Sequence, residues 1–137
     1  MEKATLLTIS LLMSTSALAE SLADTATTKK PIEHVKVADV TTLEDAKRIL
    51  FEETLLLKQK QSLDTQALHD IHMITYRLEK SIAFFTEHLN GESQQLAKTL
   101  AKVVEEIHLD SENNRISETE QHLEKYHALT DTFVKHL

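Results

Sequence analysis

The feature that most constrains this chain is its near absence of chain-turning residues: 137 residues include one glycine and one proline. β-Sheet proteins need many tight turns, and glycine and proline are prominent among the residues that form them. A chain this poor in both is expected to have few turns and long regular elements. The sequence therefore predicts an all-α protein.

The apolar residues recur at helical spacing and predict four helices. Their expected ranges are about 42–61, 64–89, 93–110 and 117–137. Thr42 is predicted to cap the first helix, and Ser117 is predicted to open the fourth with a capping box. Gly91 is expected to end the second helix in a left-handed conformation, which glycine adopts at little cost.

Each predicted helix is amphipathic and must bury its apolar stripe against the others. The connections are short, and short connections favour antiparallel neighbours, so the expected fold is an up-down-up-down four-helix bundle. The residues expected to line its core are Leu43, Ala46, Ile49, Leu50, Leu56, Leu57, Ala67, Ile71, Ile74, Leu78, Ile82, Phe85, Leu89, Leu96, Leu100, Val103, Ile107, Leu123, Tyr126, Phe133 and Leu137.

The N-terminus has the pattern of a cleavable signal peptide. Lys3 precedes an apolar run over residues 4–13, and Ala17 and Ala19 form the A-x-A motif of signal peptidase. The run is too short to cross a bilayer as a stable helix. We therefore predict cleavage after Ala19, a periplasmic mature protein and no membrane insertion once the signal is removed.

The chain is expected to divide into three parts: a signal peptide (1–19), a flexible leader (20–40) and a helical bundle domain (41–137). The leader is rich in threonine, alanine, aspartate and lysine, and it contains the only proline, Pro31. Such polar composition is typical of segments that do not fold by themselves.

Composition also excludes several classes of function. The formal net charge of −7, with histidine counted as neutral, argues against nucleic acid as a main partner. The absence of cysteine excludes disulfides, thiolate metal sites and covalently attached haem. No glycine-rich phosphate loop or nucleophile elbow is present. We therefore expect a non-enzymatic protein without an organic cofactor, which acts by binding a protein partner or a metal ion.

Four polar residues do not fit the outward faces of the predicted helices. Glu53 falls within the apolar stripe of the first helix, and His72 lies on a stripe edge of the second. His108 and Glu120 have similar positions on the third and fourth helices. Counting outward from each predicted turn gives all four residues about the same height along the bundle. The sequence therefore predicts one polar layer, and these four residues are the candidate metal ligands.

Two interpretations of this layer remain open. Its members could form a hydrogen-bonded cluster that fixes the register of the helices. Alternatively, imidazole and carboxylate side chains could bind a divalent ion such as zinc, iron, copper or nickel. Two Glu-x-x-His pairs, Glu105–His108 and Glu124–His127, are a motif of di-iron bundle proteins, but their positions on the last two helices do not match the ferritin order.

Several stretches resemble a family of small uncharacterised exported proteins of proteobacteria. The similar stretches are Ile71–Glu79, Glu105–Glu112, Glu33–Lys36 and Thr42–Ala46, and the resemblance covers about residues 33–135. It implies a short helical bundle behind a signal peptide. The resemblance brings no assigned activity with it, because the family has none.

Overall fold

The computed structural model describes residues 36–137. Its helices are α1 (Leu43–Lys58), α2 (Thr65–His88), α3 (Gly91–Glu112) and α4 (Ile116–Phe133), followed by a short 3-10 helix (Val134–His136). These residues include four α-helices and no strand, which confirms the all-helical class and is consistent with a four-helix bundle. The predicted signal peptide and most of the leader lie outside the described residues.

The first two helices begin where the sequence predicts, because their caps supply oxygen acceptors. The Thr42 hydroxyl accepts a hydrogen bond from the Asp45 backbone N–H at 3.1 Å. The Asp64 carboxylate accepts one from the Ala67 backbone N–H at 2.8 Å. Each bond satisfies a backbone donor that the first turn of a helix would leave without a partner.

The connection between α2 and α3 is shorter than predicted. α3 begins at Gly91, so that only Leu89 and Asn90 lie between the two helices. Gly91 has the predicted left-handed conformation, with φ of +59°, but it is the first residue of α3 and does not end α2, which stops at His88. The chain can therefore reverse over very few residues, and both helices extend close to the connection.

The predicted capping box at Ser117 is wrong. α4 begins at Ile116, and its N-cap residue is Arg115, which makes no side-chain cap within the described chain. The turn after α3 is tighter than expected: Asn114 has a φ of 54°, and the Arg115 N–H donates to the Asp110 carbonyl at 2.9 Å. This turn starts the helix before Ser117 is reached.

Most of the predicted core residues are buried, but Leu43 and Leu56 are not. They remain 38% and 41% exposed, and Phe51 and Leu55 are exposed as well. The reason is that α1 has few partners: it packs extensively on α2, while its contact with α4 is sparse. Three other predicted members, Leu89, Leu96 and Leu137, are half-buried at the edge of the core.

Polar side chains make several of the contacts that join α1 to α4 and the C-terminus. Thr54 and Tyr126 share a buried hydrogen bond of 2.6 Å between their hydroxyl oxygens. The ammonium of Lys58 lies 3.6 Å from the Asp131 carboxylate, and that of Lys47 donates to the Leu137 carbonyl. None of the helices formed by residues 36–137 has the length and apolar character needed to cross a membrane.

Candidate metal centre

Two histidines and a glutamate meet where α2 faces α3. His72, His108 and Glu112 each offer one possible ligand atom, and these three atoms lie within 4.8 Å of one another. His108 and Glu112 are one turn apart on α3, so their side chains leave the same face of that helix. Within residues 36–137 no other set of three or more such side chains converges in this way.

The His72 ring is buried and incompletely satisfied. It contacts the His108 ring edge-to-face, with ring centroids 4.6 Å apart. Its Nε2 lies 3.2 Å from the Tyr76 hydroxyl, whereas its buried Nδ1 has no hydrogen-bond partner among the described residues. Burial lowers the pKa of His72, and the neighbouring His108 lowers this pKa further. His72 is therefore a neutral imidazole at pH 7, the form that binds metal ions.

The Glu79 carboxylate orients His108. Its Oε1 lies 2.7 Å from Nδ1 of His108, whose side chain is only 12% exposed. A carboxylate at this distance favours the tautomer that carries a proton on Nδ1, which leaves the Nε2 lone pair available. Histidines that bind metals commonly donate their second N–H to a carboxylate in this way.

Tyr76 forms one wall of the cluster. Its ring centroid lies 5.0 Å from that of His72 and 4.9 Å from that of His108. Burial raises the pKa of the Tyr76 phenol, and the negative charges of Glu112 and Glu79 raise this pKa further. The metal-free phenol therefore keeps its proton at neutral pH.

The structure brings two of the four predicted ligands together, His72 and His108. Glu53 is buried elsewhere, where Arg77 Nη1 approaches its Oε1 at 2.5 Å. Glu120 is exposed and lies beside a surface depression near the start of α4. Counting from the turns places Glu53 level with His72, but Glu53 pairs with Arg77, five residues further along α2. For Glu120 the counting does not tell the side to which the residue points. For these reasons the predicted layer of four is not formed.

Glu112 is a candidate ligand that the sequence did not predict. It lies inside the Glu105–Glu112 stretch but was not assigned to the polar layer. The available signal was its position four residues after His108, since residues at this spacing share a helix face. The predicted helix ends at Asp110 and leaves Glu112 beyond its last turn, whereas α3 extends to Glu112.

A second polar cluster joins α3 to the start of α4. The buried Asp110 accepts from His122 Nδ1 at 2.6 Å and pairs with Arg115 at 3.2 Å. His122 Nε2 lies 3.3 Å from the Glu106 carboxylate. These contacts satisfy Asp110, so this cluster serves as a connection between the two helices.

Taken together, the fold and the cluster define a small all-helical protein with a candidate metal centre between two consecutive helices. Residues 1–135 of the 137-residue chain match the model of a family of unknown function, DUF6746. The chain belongs to this family, which bears out the resemblance to an uncharacterised family. No curated protein and no solved structure matches it.

Proposed function

We propose that this protein is non-enzymatic and acts by binding a divalent metal ion through His72, His108 and Glu112. The observation that carries the proposal is the convergence of their three ligand atoms within 4.8 Å, from two helices. Two imidazole nitrogens and one carboxylate oxygen are suitable ligands for zinc, copper or nickel.

The unsatisfied atoms favour metal binding over a purely structural cluster. A hydrogen-bonded cluster would be expected to pair its buried polar atoms, because an unpaired one costs about 1–3 kcal/mol. Nδ1 of His72 is buried without a partner in the described chain, and the two imidazole rings contact each other. The cluster is therefore not a fully satisfied hydrogen-bonded one, and a cation that accepts the Nε2 lone pair of each ring would hold the two imidazoles together.

We further propose an antiparallel up-down-up-down order for the helices. The ion pairs between the α1 region and α2 support this order: Lys60 pairs with Asp70 at 2.6 Å. Earlier residues of the α1 region pair with later residues of α2, as in Glu53–Arg77 and Asp39–Lys80. Lys60 and Asp70 are equally far from the middle of the connection, and so are Glu53 and Arg77, which is the pattern of two antiparallel helices.

Calorimetric titration of the chain beginning at Glu20 tests the metal site. We expect one Zn²⁺ or Ni²⁺ per chain, and a higher melting temperature with the ion, because a ligand of the native state stabilises it by mass action. His72→Ala, His108→Ala and Glu112→Ala should each weaken binding. Binding should also fade below about pH 6, where imidazole takes up a proton.

The matched control is His69→Ala, which removes an exposed histidine from the same helix, one turn before His72. This variant should titrate like the wild type. If the wild type gains no thermal stability from any of these ions, the cluster does not bind metal and serves only to fix helix register.

We also propose export to the periplasm with cleavage after Ala19. The A-x-A motif supports this, and the family match includes the segment that contains it. Mass spectrometry of the periplasmic fraction should find a mature N-terminus at Glu20. Recovery of the chain from the cytoplasm with Met1 intact would contradict export.

A further inference from the structure

We propose that the phenol oxygen of Tyr76 is a fourth ligand, which makes the site selective for Cu²⁺. This inference rests on the proposed metal site and adds a donor and an ion to it. The carrying observation is the position of the Tyr76 hydroxyl, 3.2 Å from Nε2 of His72.

The spacing of the donors along the two helices is the first argument. Tyr76 follows His72 by four residues on α2, just as Glu112 follows His108 by four residues on α3. Residues four apart share a helix face. Each helix therefore contributes one imidazole and one oxygen donor to the same interface.

The distances are the second argument. Two donors bound to one ion at about 2.0–2.1 Å lie roughly 3 Å apart. The Tyr76 hydroxyl already lies at this separation from Nε2 of His72, and its ring centroid is 4.9 Å from that of His108. The ligand atoms of His72, His108 and Glu112 lie up to 4.8 Å apart, so they must move closer together to bind one ion. The Tyr76 hydroxyl and Nε2 of His72 need no such movement.

The chemistry of the set is the third argument. Two imidazole nitrogens and two oxygens form an N₂O₂ set, which suits the tetragonal geometry of Cu²⁺, and Cu²⁺ also has the highest affinity in the divalent series. Coordination breaks the phenol O–H bond of Tyr76 and forms a Cu–O bond. The proton leaves to solvent, as expected when a metal displaces a ligand proton, and copper remains Cu²⁺.

A visible absorption band tests this proposal. Phenolate bound to Cu²⁺ gives a charge-transfer band that imidazole and carboxylate ligands do not give. The whole sequence contains two tyrosines, Tyr76 and Tyr126. A phenolate-to-copper charge-transfer band that appears when Cu²⁺–glycine is added to the chain beginning at Glu20 must therefore come from one of them.

The expected result separates the two tyrosines. Tyr76→Phe should lose the band and bind Cu²⁺ roughly tenfold or more weakly, the size of effect seen when metal-site partners are removed. Its Zn²⁺ affinity should stay within about twofold of the wild type, because zinc would use the histidines and the carboxylate. Tyr126→Phe is the matched control and should keep the band, since its hydroxyl is bonded to Thr54.

Other results would overturn the proposal. If Zn²⁺ binds through His72 and His108 but Cu²⁺ gives no band, or if Tyr76→Phe keeps the band, Tyr76 is not a ligand and the simpler metal site remains. If neither ion binds, the proposed function fails as well. Should Tyr76→Phe not fold, resonance Raman spectra of the wild-type copper complex must show phenolate modes, and their absence would overturn the proposal.

Discussion

The buried carboxylate of Glu53 depends on a single cation from the neighbouring helix. Its side chain is only 2% exposed, whereas the guanidinium of Arg77 that pairs with it is partly in water. Burial raises the pKa of Glu53, and the positive charge of Arg77 opposes this rise without cancelling it. A charged group inside a bundle is stable only when it is paired, so that Arg77 determines whether Glu53 is tolerated.

Replacing Arg77 with methionine should lower the free energy of unfolding at pH 7 by roughly 1–3 kcal/mol, the cost of an unsatisfied buried group. The loss should shrink towards pH 5. With its pKa above the unfolded value, Glu53 binds more protons folded than unfolded, so its contribution to stability falls as pH rises above about 4.5. Urea denaturation at both pH values measures the difference.

The control for this variant is Arg48→Met, which removes an exposed arginine with two exposed acidic neighbours. Exposed ion pairs contribute little, so this change should alter stability by less than about 1 kcal/mol. The double variant Glu53→Gln with Arg77→Met should recover part of the loss. A loss of equal size at pH 5 and pH 7 would contradict the role given to the Glu53 charge.

At the scale of the helices, two left-handed residues set the short connections on either side of α3. Gly91 has φ of +59°, and Asn114 has φ of 54°. A Cβ atom at position 91 would meet nothing within 4 Å in the described chain, so the backbone conformation alone restricts the residue there. Asparagine tolerates this conformation better than other residues with a side chain.

Gly91→Ala should therefore destabilise the fold by about 1 kcal/mol through backbone strain alone. Gly91→Asn should cost less, and Asn114→Gly should be close to neutral because glycine adopts the same φ without strain. Thermal unfolding of the three variants gives the comparison. An alanine variant as stable as the wild type would show that the connection can adopt another conformation.

The helices themselves were largely predictable, because apolar spacing and local caps determine them. Thr42, Asp64 and Gly91 act in the structure as their residue types suggest. The start of α4 was not predictable in the same way: Ser117 has the stronger capping side chain, but the tight turn at Asn114 starts the helix at Ile116. Here the backbone conformation of the connection determines where α4 begins, and the capping preference of Ser117 does not.

The candidate site was predictable only in part. Helical spacing and turn lengths gave the correct height for His72 and His108, and these two residues do meet. The same reasoning could not tell that Glu53 faces Arg77 or that Glu120 faces solvent, because the rotation of each helix about its axis depends on the packing of all four. Glu112 could be predicted as a member of the site only if the C-terminal end of α3 was predicted correctly.

At the scale of the whole molecule, buried histidines make stability depend on pH. Burial lowers the pKa of His72 and of His127, and nearby Lys58 lowers that of His127 further, although Asp131 opposes this. A histidine with a lowered folded pKa binds more protons in the unfolded chain. The free energy of unfolding is therefore highest above the unfolded pKa of 6.5 and falls as pH decreases from this value towards the folded one.

The metal-free protein should accordingly melt at a lower temperature at about pH 5.5 than at about pH 7.5. His127→Gln should reduce this dependence, because it removes one of the two imidazoles whose pKa is lowered by burial and leaves the candidate metal centre unchanged. His69→Gln, at an exposed position, should leave it unchanged. A melting temperature that rises on acidification would contradict the neutral burial of these histidines.

The order of the helices also bears on how the chain folds. The most extensive helix contact is between α2 and α3, which follow each other directly in the chain. Contacts between elements that are adjacent in sequence form quickly, because little chain entropy is lost in forming them. Proteins rich in such contacts fold fast. His72, His108 and Glu112 all belong to this pair of helices. An ion bound at the proposed site would therefore join the two helices that we expect to pair first, before α1 and α4 complete the core.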